Sequence, residues 1–221
     1  MFNEFKSDIV ANKLNDEQLF QKYFIDSKTF FFASIQKDCD LEYQLKYDIA
    51  RVLQIHINDI YIVGSGKTGF SMKMKSAGNV FDYIFNTSKQ NKDKSDIDIA
   101  IVSPKLFEYI HETFYDWSNH YDFKWDSNSY YPNGCIPRFE VNLKYKFLEY
   151  LGKGWYRPDF APTAFQVSTS KGNIKDVIDK WRNKLNRKVS YGIYKSWHYF
   201  HKYQIENINH MRHKIKSGDV L

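Results

Sequence analysis

Apolar residues recur every fourth position from Leu41 through Leu45 and Ile49 to Leu53, which predicts an amphipathic helix over 41–54. An apolar run, Ile60-Tyr61-Ile62-Val63, follows it and reads as a short strand. A second run, Ile97 to Val102, holds a single carboxylate, Asp98, and reads as another strand. Ser103 and Pro104 then supply an N-cap and a first helical residue for a helix whose Phe107, Ile110, Phe114 and Trp117 share one face. Further helices are predicted at 16–27, around Val177, Trp181 and Leu185, and over 196–215. Tyr191, Tyr194, Tyr199 and Tyr203 read as helix-packing aromatics. The polar, lysine-dotted stretch 78–95 and the turn-rich stretch 118–138 read as surface segments. A Gly/Pro cluster across Gly152–Pro162 divides the chain into a core, 1–152, and a mainly helical region, 153–221.

Composition supports a globular chain. The 18 Phe, 17 Tyr and 5 Trp suffice for a core, and no apolar run approaches the roughly 18 residues that cross a bilayer. The N-terminus, with Asn3, Glu4 and Asp8, lacks the regions of a signal peptide. Cys39 and Cys135 are too few for a disulfide framework, so a cytoplasmic protein is expected. The net charge of +6 is uneven: residues 171–221 carry 12 Lys/Arg against 4 Asp/Glu, and the rest of the chain sums to −2. That basic region suits a polyanionic partner such as nucleic acid or nucleotide phosphate, and equally a solvated helix surface.

The candidate chemistry lies where the two strands meet their flanks. Gly64-Ser65-Gly66-Lys67-Thr68-Gly69 closes the first strand with a glycine-rich turn, where Gly64 permits close backbone approach to an anion and Ser65 adds a hydroxyl. Ser95-Asp96-Ile97-Asp98 opens the second strand and places two carboxylates on one face, an oxygen-only set that suits Mg²⁺. Gly66-Lys67-Thr68 looks like the end of a P-loop, but the required earlier glycine position is Tyr61, so the spacing fails. His198-x-x-His201 and His210-x-x-His213 lack the accompanying ligands of a zinc site.

Gly64-Ser65 at a strand end, followed by Ser95-Asp96-Ile97-Asp98 at the start of a hydrophobic strand, resembles the DNA polymerase β-like nucleotidyltransferase superfamily. The likeness covers roughly residues 41–117. It implies an α+β fold with a palm-like core and mixed sheet, here followed by C-terminal helices. It also implies Mg²⁺-dependent, or Mn²⁺-dependent, transfer of a nucleoside monophosphate from an NTP or dNTP to a hydroxyl, with pyrophosphate release. By that likeness Gly64 and Ser65 contact the nucleotide, and Asp96 and Asp98 are both metal ligands and catalytic residues. The family often adds a third carboxylate on a later strand, for which Glu140 and Asp159 are candidates. The chain departs in having Lys67-Thr68-Gly69 where small toxin-like members have Arg-Gly, and in the 31 positions from Ser65 to Asp96.

That superfamily includes small bacterial enzymes of antiviral defence that build oligonucleotide or signalling-nucleotide products; the likeness implies such a role here, and the basic region would suit retention of an anionic product. The alternatives are toxin-type nucleotidylation of a protein or tRNA, with an antitoxin or effector partner, and a non-catalytic nucleic-acid-binding module on a degenerate core.

Overall fold

A computed structural model describes residues 1–73, 78, 94–120, 129–130, 141–162, 165 and 167–219. Most of the 78–95 and 118–138 segments, and Cys135, lie outside the described residues. The chain is α+β, built on a mixed four-stranded sheet with helices on both faces.

Helices α1 (Phe2–Val10) and α2 (Asp16–Phe20) lead in; a π-helical turn continues α2 through Gln21–Asp26, where one helix over 16–27 is predicted. Helix α3 (Cys39–Leu53) starts where the Asp38 carboxylate accepts the amides of Asp40 and Leu41 at 2.9 and 3.3 Å, and stops at Gln54 in the left-handed region. Its four-residue repeat does what periodicity predicts: Leu45, Ile49 and Leu53 are buried and Leu41 packs against them. Strand β1 (Ile60–Val63) follows, then the short helix α4 (Gly64–Thr68) and strand β2 (Ile97–Val102). Helix α5 (Pro104–His120) begins as expected, with the Leu106 amide on Ser103 Oγ at 3.3 Å.

After helix α6 (Leu143–Gly152) come strand β3 (Trp155–Tyr156), helix α7 (Ile174–Leu185), strand β4 (Val189–Tyr194) and helix α8 (Trp197–Ser217). Two-residue ribbons pair Ser129–Tyr130 with Val141–Asn142 and Ser168–Thr169 with Gly172–Asn173. Sheet order is β1-β2-β4-β3; β1 and β3 run antiparallel to their neighbours, whereas β2 and β4 are parallel. After 153 two long helices form as expected, and strand β4 is an element that the sequence reading did not predict. Tyr191 and Tyr194 lie on this interior strand, and only Tyr199 and Tyr203 are helical.

Alternation along the strands sorts side chains into two cores. Ile60, Ile62, Ile97, Ile99, Ile101, Val189 and Ile193 face a core closed by α3, α5, α6 and α7. Ala100, Val102 and Tyr194 face the other, closed by α1, α2 and α8 through Phe5, Leu19, Phe200 and Ile208. Trp181 of α7 is 1% exposed, and its indole N–H donates to Asp48 of α3 at 2.9 Å, locking these helices together. Burying a side chain of such size stabilises by roughly 2–3 kcal/mol or more. Among the described residues, no helix is long and apolar enough to cross a membrane.

Candidate active site

The antiparallel register of β1 and β2 sets Val63 opposite Asp98, which brings the glycine-rich turn onto the carboxylate strand across 33 intervening residues. Gly64 takes φ +63°, and a methyl group there would lie 3.0 Å from Asp98 Oδ2. Glycine is therefore required twice, for the left-handed backbone and for the close approach. Gly66 lies against Ile97 and the Asp96 carbonyl, so the turn covers the start of β2. Ser65 is half-buried, in the first turn of α4, where backbone amides have no intrahelical acceptor.

The rest of the turn points inward. Lys67 is 6% exposed and its Nζ donates to the Ser27 carbonyl, at the end of the π-helical turn. Burial pushes its ammonium down to about 8. Thr68 is fully buried, with Oγ1 2.8 Å from the Phe70 carbonyl, and Gly69 at φ +79° passes under the Phe30 ring. The resemblance of Gly66-Lys67-Thr68 to a P-loop thus stays superficial: this lysine braces the fold.

Asp98 is on β2 and Asp96 immediately precedes the strand; both are half-buried. Each has a partner from the β4 side. The parallel register sets Asp98 beside Ser190, whose Oγ donates to Asp98 Oδ1 at 2.5 Å. Lys188, just before β4, places Nζ 3.0 Å from Asp96 Oδ2. The Ile97 amide donates to the Lys188 carbonyl at 2.9 Å, which fixes that pairing. Arg187 donates from Nη1 to the Ser95 carbonyl at 3.1 Å and rests over the Phe31 ring. Further along the same sheet face, the Trp155 indole crosses Gly192, with its N–H buried and without a hydrogen-bond partner among the described residues. Burial pushes the Tyr194 and Tyr203 phenols up, and the Asp98 charge adds to this.

Of the sequence-predicted residues, Gly64, Ser65, Asp96 and Asp98 come together at one end of the sheet. Glu140 lies outside the described residues. Asp159 sits beyond the edge strand β3, and its carboxylate is engaged by Arg157 at 2.6 and 3.2 Å rather than by the site. His201 pairs with Glu17, on the helical side of the molecule. Sequence reading missed Lys188 and Ser190. Their signal is the apolar and aromatic run Val189–Tyr194 between two helices, which marks a strand able to lie beside β2.

Two half-buried carboxylates two residues apart at a strand start fit a divalent cation of the Mg²⁺ type. Such an ion commonly takes one or two protein carboxylates and completes its shell with water and substrate phosphate. The oxygen-only set, with Ser190 orienting one carboxylate, is chemically consistent with that ion. Comparison with known proteins finds no matching family model, no matching curated protein and no matching solved structure.

Proposed function

We propose that the protein is a divalent-cation-dependent nucleotidyltransferase, transferring a nucleoside monophosphate from a nucleoside triphosphate to a hydroxyl acceptor. The observation that carries this reading is the contact of Gly64 with Asp98. A turn suited to phosphate and a strand suited to a cation meet edge to edge, although they lie far apart in sequence.

In the proposed reaction the acceptor oxygen attacks the α-phosphorus, the bond to the bridging oxygen breaks, and pyrophosphate leaves. A cation bound at Asp96 and Asp98 would supply charge neutralisation on the phosphates and a lowered pKa for the attacking hydroxyl. The chain's own part is positional. Amides of the Gly64-Ser65 turn face the β- and γ-phosphates, and the Ser65 hydroxyl adds a donor. Ser190 donates to the Asp98 carboxylate, and Gly64, with no side chain, lets the turn lie close against it. Core packing of Ile97, Ile99 and Ile101 on the opposite face keeps both aspartates on the site face.

The identity of the acceptor follows from the products. The fold does not choose among oligonucleotide synthesis, protein nucleotidylation and tRNA modification. Labelled NTPs and dNTPs incubated with the protein and Mg²⁺ or Mn²⁺ should release pyrophosphate. The double substitution Asp96→Ala with Asp98→Ala should abolish release with the fold intact, because both carboxylates are half-exposed at a strand start. Unchanged release by the double variant sinks the proposal. A ladder of free products identifies oligonucleotide synthesis, and a mass increment on a protein identifies nucleotidylation.

A further inference from the structure

The sheet face that carries Asp98 continues into an aromatic wall. Ser190, which bonds Asp98, and Gly192 lie two residues apart on one side of β4, about 7 Å at the rise of a strand. The Trp155 indole edge rests on Gly192, where a methyl would stand 2.3 Å from Nε1. The indole stacks on Tyr194 at 5.1 Å and meets the Tyr203 ring of α8 at 4.7 Å. The Arg157 guanidinium lies 4.9 Å from Trp155 and 5.0 Å from Tyr150. Strand β3 runs antiparallel to β4, so beyond Tyr156 the chain heads toward the end of the sheet that holds Asp98. Burial pushes the Tyr203 phenol up, and the Arg157 and Asp98 charges both act on it, which ties the wall to the carboxylates.

Part of this wall is open. Tyr203 is 38% exposed and the Arg157 side chain 27%. Arg157 is neutralised by the Asp159 carboxylate at 2.6 and 3.2 Å, so it offers a flat guanidinium with little net charge. Such a surface suits a planar, uncharged ring better than a phosphate. The Trp155 N–H, buried and without a hydrogen-bond partner among the described residues, adds a donor of unused capacity to the same wall. Resting on the nucleotidyltransferase reading, we propose that Tyr203 and Arg157, backed by Trp155, form a nucleobase subsite. The base of a nucleoside stacks on these two side chains, and its sugar spans the interval toward Asp98. Stacking of this kind accepts any base and favours purines through their larger ring area.

The test uses the full chain with neither metal nor phosphate. Adenosine, guanosine, cytidine and uridine are each titrated while the indole N–H resonances of isotope-labelled protein are followed, and Trp155→Phe identifies the Trp155 signal. Adenosine should shift that signal. Tyr203→Ala should weaken adenosine binding about tenfold, the scale of one lost stacking contact, whereas Tyr203→Phe keeps the ring and should bind as the wild type does. If the cluster only packs over the sheet edge, Tyr203→Ala lowers the melting temperature and leaves adenosine affinity unchanged. That result, or no shift of the Trp155 signal with any of these nucleosides, overturns the proposal. Where the subsite stands, competition of adenosine with the triphosphate in the pyrophosphate assay assigns it to the donor base, and non-competitive inhibition assigns it to the acceptor. Pyrophosphate release by a chain that binds no nucleoside here overturns this inference alone. Nucleoside binding at Trp155 by a chain that releases no pyrophosphate keeps the subsite and overturns the broader reading.

Discussion

Replacing Gly64 by alanine probes the contact between turn and carboxylate most directly. The backbone at φ +63° costs an L-residue about 1–2 kcal/mol. For a chain of this length that corresponds to a melting-temperature drop of roughly 3–6 °C. A second effect acts on the site alone: the new methyl would stand 3.0 Å from Asp98 Oδ2, so the carboxylate must retreat by a few tenths of an ångström. It would retreat against the 2.5 Å bond from Ser190. Shifts of that size in a positioned group reduce turnover by about tenfold or more. Gly218 separates the two effects. It also has positive φ, +81°, at the end of α8, but a methyl there meets nothing within 4 Å. Gly218→Ala should therefore show comparable backbone strain with unchanged Mn²⁺ binding and pyrophosphate release. Thermal melts, Mn²⁺ titration and pyrophosphate assays on both variants give the comparison. Should Gly64→Ala lose no more activity than Gly218→Ala, the contact plays no part in the chemistry and the reasoning behind the site fails.

Three further substitutions test the fold around the site. Asp48→Ala deprives the buried Trp181 indole N–H of its acceptor and should lower stability by about 1–3 kcal/mol in urea unfolding, with Asp48→Asn losing less because it retains an acceptor oxygen. Gly192→Ala would put a methyl 2.3 Å from Trp155 Nε1, forcing the ring to move; a loss of about 1–3 kcal/mol and altered tryptophan emission are expected, and wild-type stability would contradict the packing. Lys67 gives a pH dependence. Its ammonium is depressed to about 8 in the folded chain against 10.5 unfolded, so between those values the unfolded state binds more protons and stability rises with pH. The rise should amount to about 3 kcal/mol at most by the linkage relation. Urea titrations from pH 7 to 10.5 should show it in the wild type and not in Lys67→Met.

What the sequence discloses here is what short-range pattern encodes. The four-residue repeat of α3, the apolar runs of β1 and β2, and the Ser103-Pro104 start of α5 each depend on a local window, and each forms as read. Strand β4 escaped because its identity is decided by a partner about 90 residues away. Val-Ser-Tyr-Gly-Ile-Tyr has aromatics that also suit a helix face and a glycine that weakens an isolated strand; pairing with Ile97–Val102 settles the matter. Missing the strand meant missing Lys188 and Ser190, so the carboxylates looked solitary when they are partnered. Asp159 drew attention by its apolar neighbours, but those neighbours pack with Arg157 into an aromatic and guanidinium cluster: the guanidinium lies 4.3 Å from the Phe160 ring and 4.9 Å from Trp155.

Register ties the site to the core. Because side chains alternate along a strand, a one-residue slip of β2 would turn Asp98 into the core that holds Leu45 and Phe107, and Ile97 and Ile99 to the face that carries Ala100 and Val102. Ile97 and Ile99 are 0% and 2% exposed, so such a slip would lose their packing in that core and would bury a carboxylate, which is costly. The same burial therefore fixes where both aspartates stand. On one side Gly64, just after β1, lies against Asp98, where a methyl would stand 3.0 Å from Oδ2. On the other, parallel β4 offers a hydroxyl at the matching position, and the lysine just before it reaches Asp96. Substitutions in the isoleucine core that leave the register intact, such as Ile99→Val, should cost about 0.5–1.5 kcal/mol of stability. They should leave Mn²⁺ affinity unchanged, whereas a loss of Mn²⁺ binding in proportion to stability would mean that the carboxylates are not held by register at all.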